Sequence, residues 1–186
     1  VIGSRLNLKN AKTFRYIVSQ LAAVSFQDSS LDSKGAAFEY FVRATLKGKK
    51  LGQYFTPRPV VRLASVLIGR KKIFGSLLSG EQPKVLDPAC GTGGFLVYFM
   101  QEALHWANKA KEEKLLTQSA FEKICLNLRR NTFFGSDAND GVASSAKMNM
   151  IIAGDGHTNI RAEDSLARSA QNWSIQASDC DIIIAN

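Results

Sequence analysis

A chain of 186 residues with 45% hydrophobic and 22% charged residues is ordinary for a soluble globular protein, and one domain with a helical extension is expected. No apolar run approaches the roughly 18 residues that a membrane-spanning helix requires, and no signal peptide precedes Val1, so a cytoplasmic protein with no membrane partner is expected. The net charge of +8 is uneven: residues 1–84 carry 15 Lys/Arg against 4 Asp/Glu, and residues 85–186 carry 9 against 12. A basic flank beside a neutral-to-acidic remainder suggests a polyanionic partner, although a solvated helical face explains the same charge. Cys90, Cys125 and Cys180 lack metal-ligand spacing and cannot all pair. With only His105 and His157 besides, they fit a reducing compartment and no zinc site. The chain starts without Met and stops inside what reads as a strand, so it is expected to be a piece of a longer protein.

In chain order, residues 11–24 carry Phe14, Ile17, Val18, Leu21 and Ala22 at helical spacing. Asp32 or Ser33 caps a second helix to about Leu46, with Ala37, Phe38, Phe41 and Val42 inward. Lys47, Lys49 and Lys50 form a basic loop that suits phosphates or plain solvent. The stretch Gly52-Gln53-Tyr54-Phe55-Thr56-Pro57-Arg58-Pro59 then opens a helix, with Thr56 as the N-cap and Pro57 at its first position. Val60, Val61, Leu63, Ala64, Leu67 and Ile68 give that helix an apolar face. Its N-terminus suits a carboxylate. Tyr54 and Phe55 can cover an apolar or aromatic group, or simply anchor the chain. Residues 70–83 read as a connection.

Residues 84–86 read as a buried strand, residues 95–113 as a long helix, and between them lies Asp87-Pro88-Ala89-Cys90-Gly91-Thr92-Gly93-Gly94. Three glycines in four residues let the backbone turn and approach a ligand without a Cβ in the way. A strand-end acid, a glycine loop and a helix are how open α/β sheets bind nucleotide-like ligands. The loop lacks the third glycine spacing of a nicotinamide site, the next strand-end acid (Asp137) lies too far on, and no Walker A lysine follows. S-adenosylmethionine is the ligand that remains; the competing reading is a tight turn with nothing bound.

Thr117 caps a helix through Arg129, residues 132–137 form strand two, and Asn139 or Asp140 caps a helix through Ile152. Residues 158–165 hold strand three and its exit, and residues 181–185 form a strand apolar enough to be covered on both faces. The alternation predicts an α/β fold with a parallel sheet and right-handed crossovers. A helical segment over 1–50 precedes a ligand-binding domain over 51–186.

With these stretches placed, the chain resembles the modification (methyltransferase) subunits of type I restriction–modification systems, which are N6-adenine DNA methyltransferases. The similarity runs from about Leu31 to Asn186. Residues Gly52 to Pro59 look like the family's motif before the glycine loop, Asp87 to Phe95 like its cofactor loop, and Ile184-Ala185-Asn186 like the opening of its catalytic Asn-Pro-Pro-aromatic motif. Asp137 stands where relatives often have Glu, and the sequence, ending at Asn186, does not contain the two prolines and the aromatic. The polypeptide is therefore expected to hold cofactor but not to methylate alone.

The resemblance implies a Rossmann-like S-adenosylmethionine-dependent methyltransferase. Gln53, Tyr54, Phe55, Thr56, Pro57 and Arg58 are implied at the cofactor's carboxylate end. Asp87, Ala89, Gly91, Thr92, Gly93 and Gly94 are implied along its methionine portion, Asp137 at the ribose diol, and Asp164 with Ser165 at the adenine. The alternative for Asp164 is a cap of the next turn beside Ser165. Asn186 is the implied catalytic residue. Adenine's amino lone pair is delocalised, and an amide oxygen with a following carbonyl can accept both N–H bonds after the base leaves the duplex. Cys90 is expected only to pack. Implied partners are double-stranded DNA, with Lys47, Lys49 and Lys50 as candidate contacts, and the specificity and restriction subunits. A glutamine- or RNA-directed methyltransferase, or a scaffold without turnover, is the alternative.

Overall fold

Val85 and Leu86 are apolar on both sides of the chain and both are buried, so the strand they form, β1 (Val85–Asp87), belongs in the interior of a sheet. A computed structural model describes residues 10–23, 37, 40, 56–68, 70–154, 159–167 and 179–186 and places it there. β2 (Phe133–Asp137), β3 (Asn159–Ala162) and β4 (Ile182–Ile183) complete a four-stranded sheet in the order β3-β2-β1-β4. All pairings are parallel, with Val85 opposite both Phe133 and Ile182. The chain steps outward from β1 through β2 to β3, then returns to the other side of β1. That reversal opens a crevice at the C-terminal end of β1, where such sheets bind ligands.

The described helices are α1 (Ala11–Ala22), α2 (Arg58–Ile68), α3 (Arg70–Leu78), α4 (Gly94–Glu112), α5 (Gln118–Asn127) and α6 (Asp140–Ile152). α4 is the spine of the core: Phe95, Leu96, Phe99, Met100 and Ala103 are buried against the sheet. From the other side of the glycine loop, α6 adds Val142, Ala143, Ala146 and Met150. Side chains start three of these helices, Thr117 and Asn139 as expected and Asn10 besides. Asn10 accepts from the amides of Lys12 and Thr13, Thr117 from Ala120, and Asn139 from Gly141 and Val142.

Several expectations are corrected. Residues 70–78 are helical rather than a plain connection, because Phe74 and Leu77 bury against α4 and Phe74 stacks on Trp106 at 5.9 Å. The helix begun by Thr117 ends at Asn127, and one π-helical turn (Leu128–Thr132) follows, in which the Thr132 hydroxyl donates to Asn127 O at 3.2 Å. The buried stripe of α2 is Val61, Ala64, Ser65 and Ile68, leaving Val60, Leu63 and Leu67 exposed. β4 is covered on one face only: Ile182 and Ile184 are buried while Ile183 is 52% exposed. The apolar side of α1 is likewise exposed. Most of the helix expected before Leu46 lies outside the described residues; within it, Ala37 and Tyr40 are helical.

Candidate cofactor site

The Asp87-Pro88 turn is fixed from two directions, since the hydroxyls of Ser136 and Ser165 both donate to the Pro88 carbonyl, at 3.0 and 2.7 Å. Beyond it Cys90 N donates to Ser136 O at 2.7 Å and Gly93 N to Cys90 O at 2.8 Å. Gly93 occupies the helix cap position with φ +81, a left-handed conformation that glycine adopts without a Cβ penalty. It faces α6: a Cβ added there would lie 3.6 Å from Ala146 Cβ. Burial pushes the Cys90 thiol well above its usual range, and the side chain belongs to the hydrophobic core, as the packing role requires.

Two carboxylates flank the loop. Asp87 is 1% exposed, and burial drives its pKa up to about 7 against the lowering effect of the Ala89 amide, with the charge of Asp137 adding to the rise. Asp137 is half-buried at the tip of β2. Its Oδ2 accepts from Gly91 N at 3.2 Å and its Oδ1 from Asn139 N at 2.9 Å. Each oxygen keeps a further lone pair for a ligand donor.

Opposite the loop, Pro57 O accepts from Val60 N and Val61 N, so the carbonyl that starts α2 belongs to Pro57 and not to Thr56. The Thr56 hydroxyl is engaged elsewhere: its oxygen accepts from the side-chain amide of Asn186 at 3.1 Å. These groups surround one cavity of about 300 Å³. Of the anticipated residues, Thr56, Arg58, Asp87, Ala89, Gly91, Thr92, Gly94, Asp137 and Asn186 line it.

Gly93 faces α6 and Pro57 supplies the carbonyl that starts α2; neither lines the cavity. Asp164 and Ser165 also lie outside the lining. β3 ends at Ala162, and Asp164 caps the following turn by accepting from Leu166 N at 3.0 Å, while Ser165 is spent on Pro88. Gln53, Tyr54, Phe55, Lys47, Lys49 and Lys50 lie outside the described residues.

The lining also takes in Val61, Cys90, Phe95 and Val97, and three polar residues that were not anticipated: Tyr98, Gln101 and Asn149. Tyr98 and Gln101 follow Gly94 at four and seven residues, the spacing of one helix face. Asn149 interrupts the apolar stripe of α6, and a polar residue on such a stripe is the signal that marks it. Among the described residues, no group of three or more His, Cys, Asp or Glu is placed to hold a metal ion.

Residues 29–186 match the model of the N-6 DNA methylase family. The chain belongs to that family. The type II restriction enzyme and methyltransferase RM.BcgI of Heyndrickxia coagulans is 31% identical over 119 residues, covering 64% of this chain and 15% of that protein. The type I restriction enzyme MjaIX methylase subunit of Methanocaldococcus jannaschii is 26% identical over 156 residues, 82% of this chain and 23% of that one. The EcoEI methylase subunit of Escherichia coli is 24% identical over 182 residues, 96% and 32%. This chain thus spans less than a third of these N-6 DNA methylase relatives. A crystal structure of a modification subunit of a putative type I restriction enzyme from Vibrio vulnificus YJ016 has the same fold. Its TM-score is 0.59 at 24% identity, covering 88% of this chain and 30% of that one.

Proposed function

We propose that this chain is the cofactor-holding portion of a type I modification subunit that methylates adenine N6 in DNA from S-adenosylmethionine. The observation that carries the reading is one cavity in which the glycine loop, the acids Asp87 and Asp137, Thr56 beside the start of α2, and the Asn186 amide converge. The residues suit that cofactor: Asp87 faces its ammonium, the two oxygens of Asp137 match a vicinal diol, and the N-terminus of α2 with Thr56 meets its carboxylate. Bound there, it supplies an activated methyl group. Asn186 then accepts hydrogen bonds from the target amino group and holds it toward the methyl. Its amide keeps one protonation state throughout.

Double-stranded DNA is the proposed substrate, with the basic residues Lys47, Lys49 and Lys50 as proposed contacts and specificity and restriction subunits as assembly partners. No described helix is long and apolar enough to cross a membrane, and we place the protein in the cytoplasm. The division into a helical segment over 1–50 and a cofactor domain over 51–186 is part of the same proposal.

Calorimetry with S-adenosylmethionine tests it, with Gly94→Trp as the blocked control. Gly94 lines the cavity, and a Cβ added there meets nothing within 4 Å, so a side chain can be introduced at this point of the wall. Heat from the wild type and none from an equally stable Gly94→Trp supports the reading. Equal heats, or none from either, would reject it.

A further inference from the structure

Asn149 lies on α6 in line with Val142, Ala146 and Met150 and is itself 7% exposed, yet it carries a primary amide with both a donor and an acceptor to satisfy. The donor is matched: Nδ2 gives a 3.0 Å hydrogen bond to the Thr92 carbonyl in the glycine loop. The acceptor is not. Among the described residues, Asn149 Oδ1 is the one buried side-chain oxygen or nitrogen without a hydrogen-bond partner. The residue is also part of the cavity wall. An unmatched buried acceptor is costly, and folds retain one where something else supplies the donor.

We propose that Asn149 is a cofactor contact whose Oδ1 accepts a hydrogen bond from the ammonium of the amino-acid portion, while its Nδ2 holds the loop that portion lies along. The inference rests on the cofactor reading above. Its bond to Thr92 fixes Asn149 against the glycine loop, along which the amino-acid portion of the proposed cofactor lies. An amide oxygen there accepts from an ammonium and offers nothing to a carboxylate. Asp87 contributes charge, and Asn149 adds a direction.

The test compares the affinities of S-adenosylhomocysteine and of its analogue in which hydrogen replaces the α-amino group. The ratio of the two dissociation constants cancels any general loosening of the loop. The wild type should favour the amine. Asn149→Leu, close in size and without polar atoms, should shrink that preference about tenfold. Asn149→Asp, which keeps an acceptor and charges it, should enlarge the preference even if both ligands bind more weakly. A ratio unchanged in the variants, or a wild type indifferent to the amine, overturns the assignment and leaves Asn149 as a loop strut or water site. A wild type that binds neither ligand instead rejects the cofactor reading itself. If Asn149→Leu does not fold by its melting curve, the Asn149→Asp ratio decides alone.

Discussion

The side-chain amide of Asn186 donates to the Thr56 hydroxyl oxygen at 3.1 Å, joining the segment after β4 to the start of α2 across 130 residues of chain. The bond orients both groups. With its nitrogen turned to Thr56, the amide presents Oδ1 elsewhere, and with its oxygen accepting, the hydroxyl keeps its proton to give away. In the function proposed above, this one contact would aim both the acceptor for the target amino group and the donor to the cofactor carboxylate.

Thr56→Val removes that contact at nearly constant shape. The bond is solvent-accessible, so stability should change by no more than about 1 kcal/mol. Methyl transfer by the full-length enzyme should fall roughly 10-fold or more because the Asn186 amide is no longer held. Single-turnover transfer from labelled cofactor measures it, and an unaltered rate would mean that Thr56 does not aim Asn186.

Asp87 makes stability and affinity respond to pH in opposite senses. Its folded pKa of about 7 exceeds the ordinary 3.8, so the neutral acid favours the fold. That contribution is complete below about pH 3.8 and is lost as pH rises through about 7. A tenfold change in proton affinity is worth about 1.4 kcal/mol, which makes the effect a few kcal/mol. An ammonium-bearing ligand prefers the ionised form, so its affinity should climb across the same window. Urea unfolding and calorimetry at pH 5 and pH 8 should show both trends in the wild type, and Asp87→Asn should flatten them. A slope that survives the substitution assigns the titration to another group.

Asp137, the proposed partner of the cofactor diol, also braces the glycine loop. Asp137→Ala leaves the amides of Gly91 and Asn139 without their acceptor, so the ligand-free protein should lose about 1–3 kcal/mol besides its cofactor affinity. Asp137→Asn retains one oxygen acceptor and should recover much of the stability while still binding cofactor weakly. Thermal melts of the two variants separate the roles; equal melting temperatures would show that the carboxylate does not brace the loop.

Gly135 is held by neighbours rather than by backbone conformation. A Cβ built there would lie 2.7 Å from Leu96 Cδ1, 2.9 Å from Ile160 Cδ1 and 3.1 Å from Cys90 Cβ. Two of those atoms end flexible side chains and can yield, whereas the Cys90 Cβ cannot. Gly135→Ala should therefore cost about 1–2 kcal/mol, a drop of several degrees in melting temperature. A melt unchanged within a degree would show that the layer between β2 and α4 is looser than its distances imply.

What was legible in the sequence is what short-range physics fixes. The glycine loop, the Thr117 and Asn139 caps and the parallel α/β alternation are written in neighbouring residues. α3 was not, because Gly75 and Ser76 dilute its periodicity and its burial comes from Trp106 on another helix. An all-isoleucine strand reads the same whether one face or both are covered, so the exposure of Ile183 could not be seen. Asp164 follows the end of β3 at Ala162 by two residues, and which residue ends a strand is not fixed by the sequence alone, so its hydrogen bond from Leu166 N could not be read in advance. The oddity of Asn149 was visible, but its partner Thr92 lies 57 residues away.

The Pro88 carbonyl, receiving one hydroxyl from β2 and another from the segment after β3, has both lone pairs committed. Neither donor segment can open without leaving that oxygen short of a partner, so the glycine loop lacks the freedom of an ordinary surface lid. Its opening is coupled to the opening of the sheet edge that carries β3. In amide hydrogen exchange the loop and that edge would then behave as one cooperative unit, protected together and lost together.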